Sequence, residues 1–261
     1  MKNLLVILFT AAGIAGTGFV AIAPEHPATT PPPTEIKLTP CEPSTAFPNA
    51  AITEFNYSVV GDSVTFKYTV KDYELGNQTP DAGSKICANS AKGQHIHLIL
   101  NNAPYEAWYI PTFTKKLAEG HYVMLSFLSR SYHESIKTKK AYTIRQFNVG
   151  KDGGTKNNWV NLNQPLLFYS RPKGEYVGTE TKKVLLDFYL VNVKLSKNGY
   201  HVRATINGKE FTINDWAPFY IEGLPMGECT IKLELLDKND KPANTLPAYQ
   251  TIERKIVLKD K

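Results

Sequence analysis

Clustered positive charge is missing from this sequence, although 30 lysines and arginines against 24 acids give the 261 residues a net charge of +6. The basic residues fall in scattered pairs, Lys115-Lys116, Lys139-Lys140 and Lys182-Lys183, whereas a surface that tracks phosphates needs them aligned. Nucleic acid is therefore excluded as a partner, and the charge reads as solubility charge or weak attraction to an anionic surface. Catalytic signatures are missing as well. There is no G-x-S-x-G and no H-E-x-x-H, which excludes the common serine hydrolases and zinc proteases. The segment from Gly150 to Asn158 lacks the order of a phosphate loop and the strand-then-helix frame such a loop needs. Glu106, Glu119 and Glu134 are spaced like exposed turn residues rather than a convergent carboxylate pair. The chain thus reads as a non-enzyme.

Cysteine is scarce too, and Cys41, Cys87 and Cys229 leave room for one disulfide. The first residues make one plausible. Met1-Lys2-Asn3 precedes an uncharged apolar run from Leu4 to Ala23, so 1–23 reads as a signal peptide, or as an anchor because Pro24 follows the Ala21-x-Ala23 pattern. The protein is expected to be exported, to the periplasm or the cell surface, with membrane contact only through that segment if it stays uncleaved. Cys41 and Cys87 are then the expected pair, and Cys229 alternates with Ile231, Leu233 and Leu235 as a buried thiol. Eight prolines between Pro24 and Pro48 predict an extended, weakly ordered tether over 24–50.

The remainder repeats itself. Val64–Leu75 aligns without a gap with Val184–Leu195, His95–Asn102 with His201–Gly208, and Leu117–His121 with Leu224–Glu228. The middle block ends in Asn-Asn or Asn-Gly, the pair that suits a tight hairpin turn. Short alternating strands without a helical period predict an all-β fold: two tandem immunoglobulin-like β-sandwich domains at 51–150 and 166–261, joined by a Gly/Asn-rich linker at 151–165. The first copy carries an insertion from Gly76 to Gly93 that includes Cys87.

Aligning the copies sets the strand polarity. Val202, Ala204 and Ile206 should face the core, so Ile96, Leu98 and Leu100 do as well, which leaves His95, His97 and Ile99 on the outer face. The same register turns His121, Val123, Leu125 and Phe127 outward. The loop Ser129–Ser135 brings Arg130, Tyr132, His133 and Glu134 to one end. Where the first copy has His97, His121 and His133, the second has Arg203, Glu228 and Asp240, so the fold itself does not demand these histidines.

Three readings follow. His95, His97, His121 and His133 suit a copper or zinc site, since imidazoles at i and i+2 of a strand share a face and a neighbouring strand can complete the set. Without metal, Arg130, Tyr132, His133, Glu134, Tyr105 and Trp108 are the types that stack on sugars or hold anions. Alternatively the apolar outer face of Ile99, Val123, Leu125 and Phe127 is covered by the second domain or by Trp159–Leu162, with the histidines at a junction.

The stretches Gly93–Asn102, Phe127–Ser135 and Ile221–Gly227 resemble those of a family of exported bacterial two-domain proteins of unknown function, some labelled phosphopeptide-binding. The resemblance implies a binding role. Relatives carry a lipobox cysteine at the end of the signal, and this chain departs from that pattern. The expectation is a non-catalytic binding or interaction protein of the cell envelope, with an unknown envelope ligand or protein as partner and no required cofactor. A copper or zinc protein is the second expectation, and a carbohydrate-active enzyme or sugar-binding module the third.

Overall fold

In a computed structural model, which describes residues 35–150 and 159–261, alternating apolar residues become strands wherever Gly and Asn permit a reversal. The first half contributes β2 (Ala51–Val60), β3 (Ser63–Lys71), β4 (His95–Leu100), β5 (Glu106–Trp108), β6 (Thr112–Lys116), β7 (Gly120–Ser129) and β8 (Tyr142–Val149). The second contributes β9 (Leu166–Arg171), β10 (Gly174–Val177), β11 (Val184–Val191), β12 (His201–Ile206), β13 (Lys209–Ile213), β14 (Phe219–Glu222), β15 (Gly227–Leu236) and β16 (Thr251–Lys259). A short strand, β1 (Lys37–Pro40), precedes them all. Hairpin turns follow β4 and β12, where Asn101 and Asn102 (φ 50° and 56°) and Asn207 and Gly208 (φ 45° and 84°) take the positive φ angles of a type I′ turn.

The sheets run β2-β3-β6 and β5-β4-β7-β8 in the first half, and β1-β14-β11-β9 and β10-β16-β15-β12-β13 in the second. Setting aside β1 and β10, both halves place their first, second and fifth strands in one sheet and the other four in the second, the order of immunoglobulin-like sandwiches. The described residues belong to one compact unit, Pro33–Lys261, and among them no helix is long and apolar enough to cross a membrane.

Three apolar layers hold the four sheets in a stack. Phe66, Ile96, Leu98, Met124, Leu128 and Phe147 fill the first, and Leu186, Phe188, Val202, Ile231, Leu233 and Ile256 the third. Between them, Ile99, Val123, Leu125 and Phe127 meet Leu166, Phe168, Tyr189 and Val191, with the Phe127 and Tyr189 rings stacked 4.6 Å apart. The two middle sheets are therefore apolar on both faces, and β9 and β11 are buried along their whole length. β12 keeps the strict alternation of a strand with one face toward water.

Buried polar groups fix the register across the middle layer. Asn102 accepts from Tyr169 N (2.9 Å) and donates to the carbonyls of Leu167 (2.8 Å) and Ala248 (2.7 Å), completing ladder bonds that would otherwise be orphaned. Asp187, fully buried in β11, accepts from Ser135 N at 2.9 Å and from the Lys137 ammonium at 2.5 Å.

The tether expectation needs correction from Lys37 onward. β1 pairs antiparallel with β14, Leu38 opposite Ile221, because Ile36 and Leu38 pack on the third layer and the edge of β14 offers unpaired backbone. Beyond it, Cys41 N donates to Pro218 O at 3.0 Å, and the next residues strap the loop after β7, as described below. The signal-peptide or anchor reading of 1–23 lies outside the described residues, as does 151–158 of the linker. The rest of that linker is packed, not free: Val160 exchanges two 3.1 Å hydrogen bonds with the Gln146 side chain, and Val160 and Leu162 border the middle layer.

Candidate functional site

His95 and His97 share one face of β4 because they are two residues apart on a strand. The hairpin after β7 delivers a third imidazole: Arg130 N donates to Glu134 O (2.9 Å) and His133 N to Arg130 O (2.9 Å), a reversal that puts His133 at φ 68°, a conformation side-chain-bearing residues seldom take. The ring nitrogens converge. His97 Nε2 lies 2.8 Å and His133 Nδ1 3.1 Å from His95 Nε2, and the three donor atoms all fall within 4.8 Å of one another.

Neighbours hold each ring. His95 Nδ1 is 2.8 Å from Gly93 O, His97 Nδ1 is 3.2 Å from Ser170 Oγ, and Tyr105 Oη is 3.1 Å from His133 Nδ1. The Tyr105 ring stacks on His97 with centroids 3.6 Å apart. His95 and His97 are fully buried and His133 partly so. Burial, which penalises the charged ring, pushes His95 down from 6.5 to about 4, with Arg171 and Lys173 adding to it against the pull of Gly93 O. His97 and His133 are driven down chiefly by the same burial. All three rings are neutral at pH 7.

Neutrality creates a shortage of acceptors. A neutral imidazole carries one N–H, and on His95 it must sit at Nδ1, where the Gly93 carbonyl accepts it. His95 Nε2 then offers one lone pair to two facing ring nitrogens. If both carry hydrogen, two donors crowd a single acceptor; if either does not, two lone pairs face each other at hydrogen-bonding distance. An extra proton is disfavoured by burial and by the two cations nearby. A metal cation at the shared point would accept from all three rings at once.

The fourth expected histidine is elsewhere. His95 pairs with Ser129 at one end of β7, whereas His121 pairs with Asn148 at the other, about 27 Å away at ~3.4 Å per residue. It bonds the Asn148 side chain at 2.8 Å. His95, His97 and His121 do face outward from the first layer, but strand position separates His121 from the other two.

The open ligand surface also needs correction, since the second half covers the outer sheet face and the N-terminal strap and inserted loop cover the residues after β7. Arg130 donates to Glu134 Oε1 (2.9 Å) and, through Nη2, to Thr45 O (2.7 Å); Ser44 Oγ donates to Glu134 Oε2 (2.7 Å), and Tyr132 Oη to Asp81 (3.0 Å). Arg130, Tyr132 and Glu134 are thus buried and spent on anchoring the N-terminal strap and the inserted loop. Trp108 stacks on Phe113 at 3.8 Å against the first layer. Only Tyr105 and His133 of that set reach the centre. Cys41 and Cys87 are free thiols that border one apolar cluster with Tyr132, Leu185 and Tyr220.

Three residues of the second half went unanticipated: Ser170, Arg171 and Lys173. Ser170 and Arg171 break the apolar run Leu166-Leu-Phe-Tyr, and polar residues ending a doubly buried strand are the signal that marks them. Lys173 Nζ donates to Tyr105 O at 2.6 Å and sits 3.7 Å from the Tyr105 ring centroid; burial and Arg171 lower it to about 8.

No protein-family model and no curated protein matches the chain. Among solved structures, it is similar to the fibronectin(III)-like modules of Clostridium thermocellum CbhA at 14% identity, over 79% of this chain and 94% of that one, with a TM-score of 0.27. The central fibronectin-III array of RIM-binding protein matches at 10% identity over 84% and 72% of the two chains, with a TM-score of 0.26. SGBP-B of the Bacteroides ovatus mixed-linkage glucan utilization locus, in complex with a mixed-linkage heptasaccharide, matches at 10% identity over 87% and 71%, with a TM-score of 0.22. Likenesses of this size carry no argument about what the present chain binds.

Proposed function

We propose that this chain is a non-catalytic, exported binding protein of the cell envelope, built of two tandem immunoglobulin-like domains, and that it holds copper or zinc between His95, His97 and His133. The convergence of three neutral imidazole nitrogens carries this reading. Ligands at 2.0–2.1 Å from a tetrahedral zinc are about 3.3 Å apart, so the observed 2.8 and 3.1 Å open by a few tenths of an ångström on loading, while His97 Nε2 and His133 Nδ1, in a set that spans 4.8 Å, close toward one another by a rotation of the His133 ring. The backing of His95 by Gly93 O and of His97 by Ser170 Oγ is the outer-shell support that fixes the tautomer of ligating histidines. Neutral imidazole suits both metals, and burial keeps protons from competing for the lone pairs at pH 7.

The test is metal analysis of protein purified without a histidine tag, alongside its melting temperature. One equivalent of copper or zinc, lost in His95→Ala and in His97→Ala, supports the centre; protein that stays metal-free, with melting unchanged on adding Cu²⁺ or Zn²⁺, removes it.

A further inference from the structure

Arg171 ends β9 beside the three imidazoles with only 8% of its surface exposed. Its Nη1 donates to Tyr176 Oη at 3.2 Å, its guanidinium carbon lies 5.3 Å from the Tyr105 ring centroid, and its Nε is buried with no partner. The carboxylate opposite it across the β9–β11 ladder, Asp187, is taken by Ser135 N and the Lys137 ammonium, and the groups acting on Arg171 include Tyr105, Tyr176 and Cys87. Lys173 follows two residues later and adds a second positive charge over the same tyrosine. The acid that acts on Lys173, Glu106, is bound to Lys115 at 2.7 Å.

A guanidinium removed from water without a counter-charge is strongly disfavoured. Its unpaired Nε belongs to the fork that binds oxyanions through two parallel hydrogen bonds. Two cations beside a neutral three-histidine set also repel a bare divalent metal. We propose that Arg171 and Lys173 bind a small oxyanion, the counter-ion of the buried guanidinium, and that this anion closes the histidine set when metal is present. The second part rests on the metal reading above; the first does not.

Two measurements separate them. In protein stripped with EDTA, melting is followed while phosphate, bicarbonate or acetate is titrated at constant ionic strength, with chloride as the reference. An oxyanion is expected to raise the wild-type midpoint by about 5 °C at a hundredfold excess over its Kd, while Arg171→Met shows no response and Lys173→Met a weaker one. If no oxyanion outperforms chloride, or if the rise persists in both variants, the anion site is refuted. Zn²⁺ affinity is then measured with and without the effective oxyanion. Wild type should bind at least ~10-fold more tightly with it, and Arg171→Met should bind equally with and without it, and more tightly than anion-free wild type. An anion response in stripped protein, with no zinc uptake under any condition, retains the anion site and removes only the metal.

Discussion

Lowering the pH from 7 to 5 should destabilise the metal-free protein more steeply than any carboxylate would cause in that window. The sign follows from the buried rings. His95 titrates near 6.5 when unfolded and near 4 when folded, so between these values the unfolded chain binds the extra proton, and stability falls as pH falls. From pH 7 to 5 this one ring removes about 2 kcal/mol, and the full difference of 2.5 pH units corresponds to about 3 kcal/mol. His97 and His133 are lowered in the same direction, so they add to the loss with the same sign. Urea unfolding at pH 7, 6 and 5 in EDTA measures it, with an unchanged m-value certifying that stability alone has moved. Three histidines lie outside the cluster, so the informative quantity is the difference between wild type and His95→Gln, His97→Gln and His133→Gln variants. A wild-type slope no steeper than that of the triple variant would falsify the neutral buried cluster.

Other perturbations probe the frame around it. Asp187→Ala leaves the Lys137 ammonium without its counter-charge and Ser135 N unpaired at the junction and should cost about 3 kcal/mol or more by chemical denaturation; a loss below ~1 kcal/mol would contradict the burial assigned to that pair. Phe127→Ala empties part of the middle layer against Tyr189 and should cost 3 to 5 kcal/mol, roughly, whereas Tyr57→Ala, at an exposed ring, should cost under ~1 kcal/mol. Burial raises the Cys87 thiol to about 11 and lifts Cys41 further, so a thiol reagent at pH 8 should leave both unmodified in reduced native protein and modify them once it unfolds. Rapid labelling of either before unfolding would show that their shared cluster opens to solvent.

Strand existence and polarity were legible because period-two alternation is a local property. The aligned copies placed Ile96, Leu98 and Met124 inward and His95, His97 and Phe127 outward, and the layers have that arrangement. The sequence also carried a warning about the outer face. Ile99, Val123, Leu125 and Phe127 are too apolar for water, and covering them was among the readings it allowed. What alternation cannot encode is position along a neighbouring strand: it reports which face His121 occupies, while inter-strand register decides that it sits by Asn148 and not by His95.

The chemistry of the loop Ser129–Ser135 was misleading for a related reason. An Arg-Ser-Tyr-His-Glu run looks the same whether its polar groups await a ligand or are consumed by another part of the chain. Here Thr45, Ser44 and Asp81 consume Arg130, Glu134 and Tyr132, through contacts 85, 90 and 51 residues distant that no local pattern announces. His133 escapes because the same turn that buries its neighbours swings its ring to the opposite side, toward β4. The loop therefore has two jobs that compete for few residues: its acid and its arginine hold the N-terminal strap, and its histidine completes the centre. That division makes a testable asymmetry. Glu134→Gln should loosen the strap and lower stability while leaving metal or anion binding intact, whereas His133→Gln should abolish metal binding with little effect on the strap, and a common effect of both would mean that the strap and the centre form one cooperative unit.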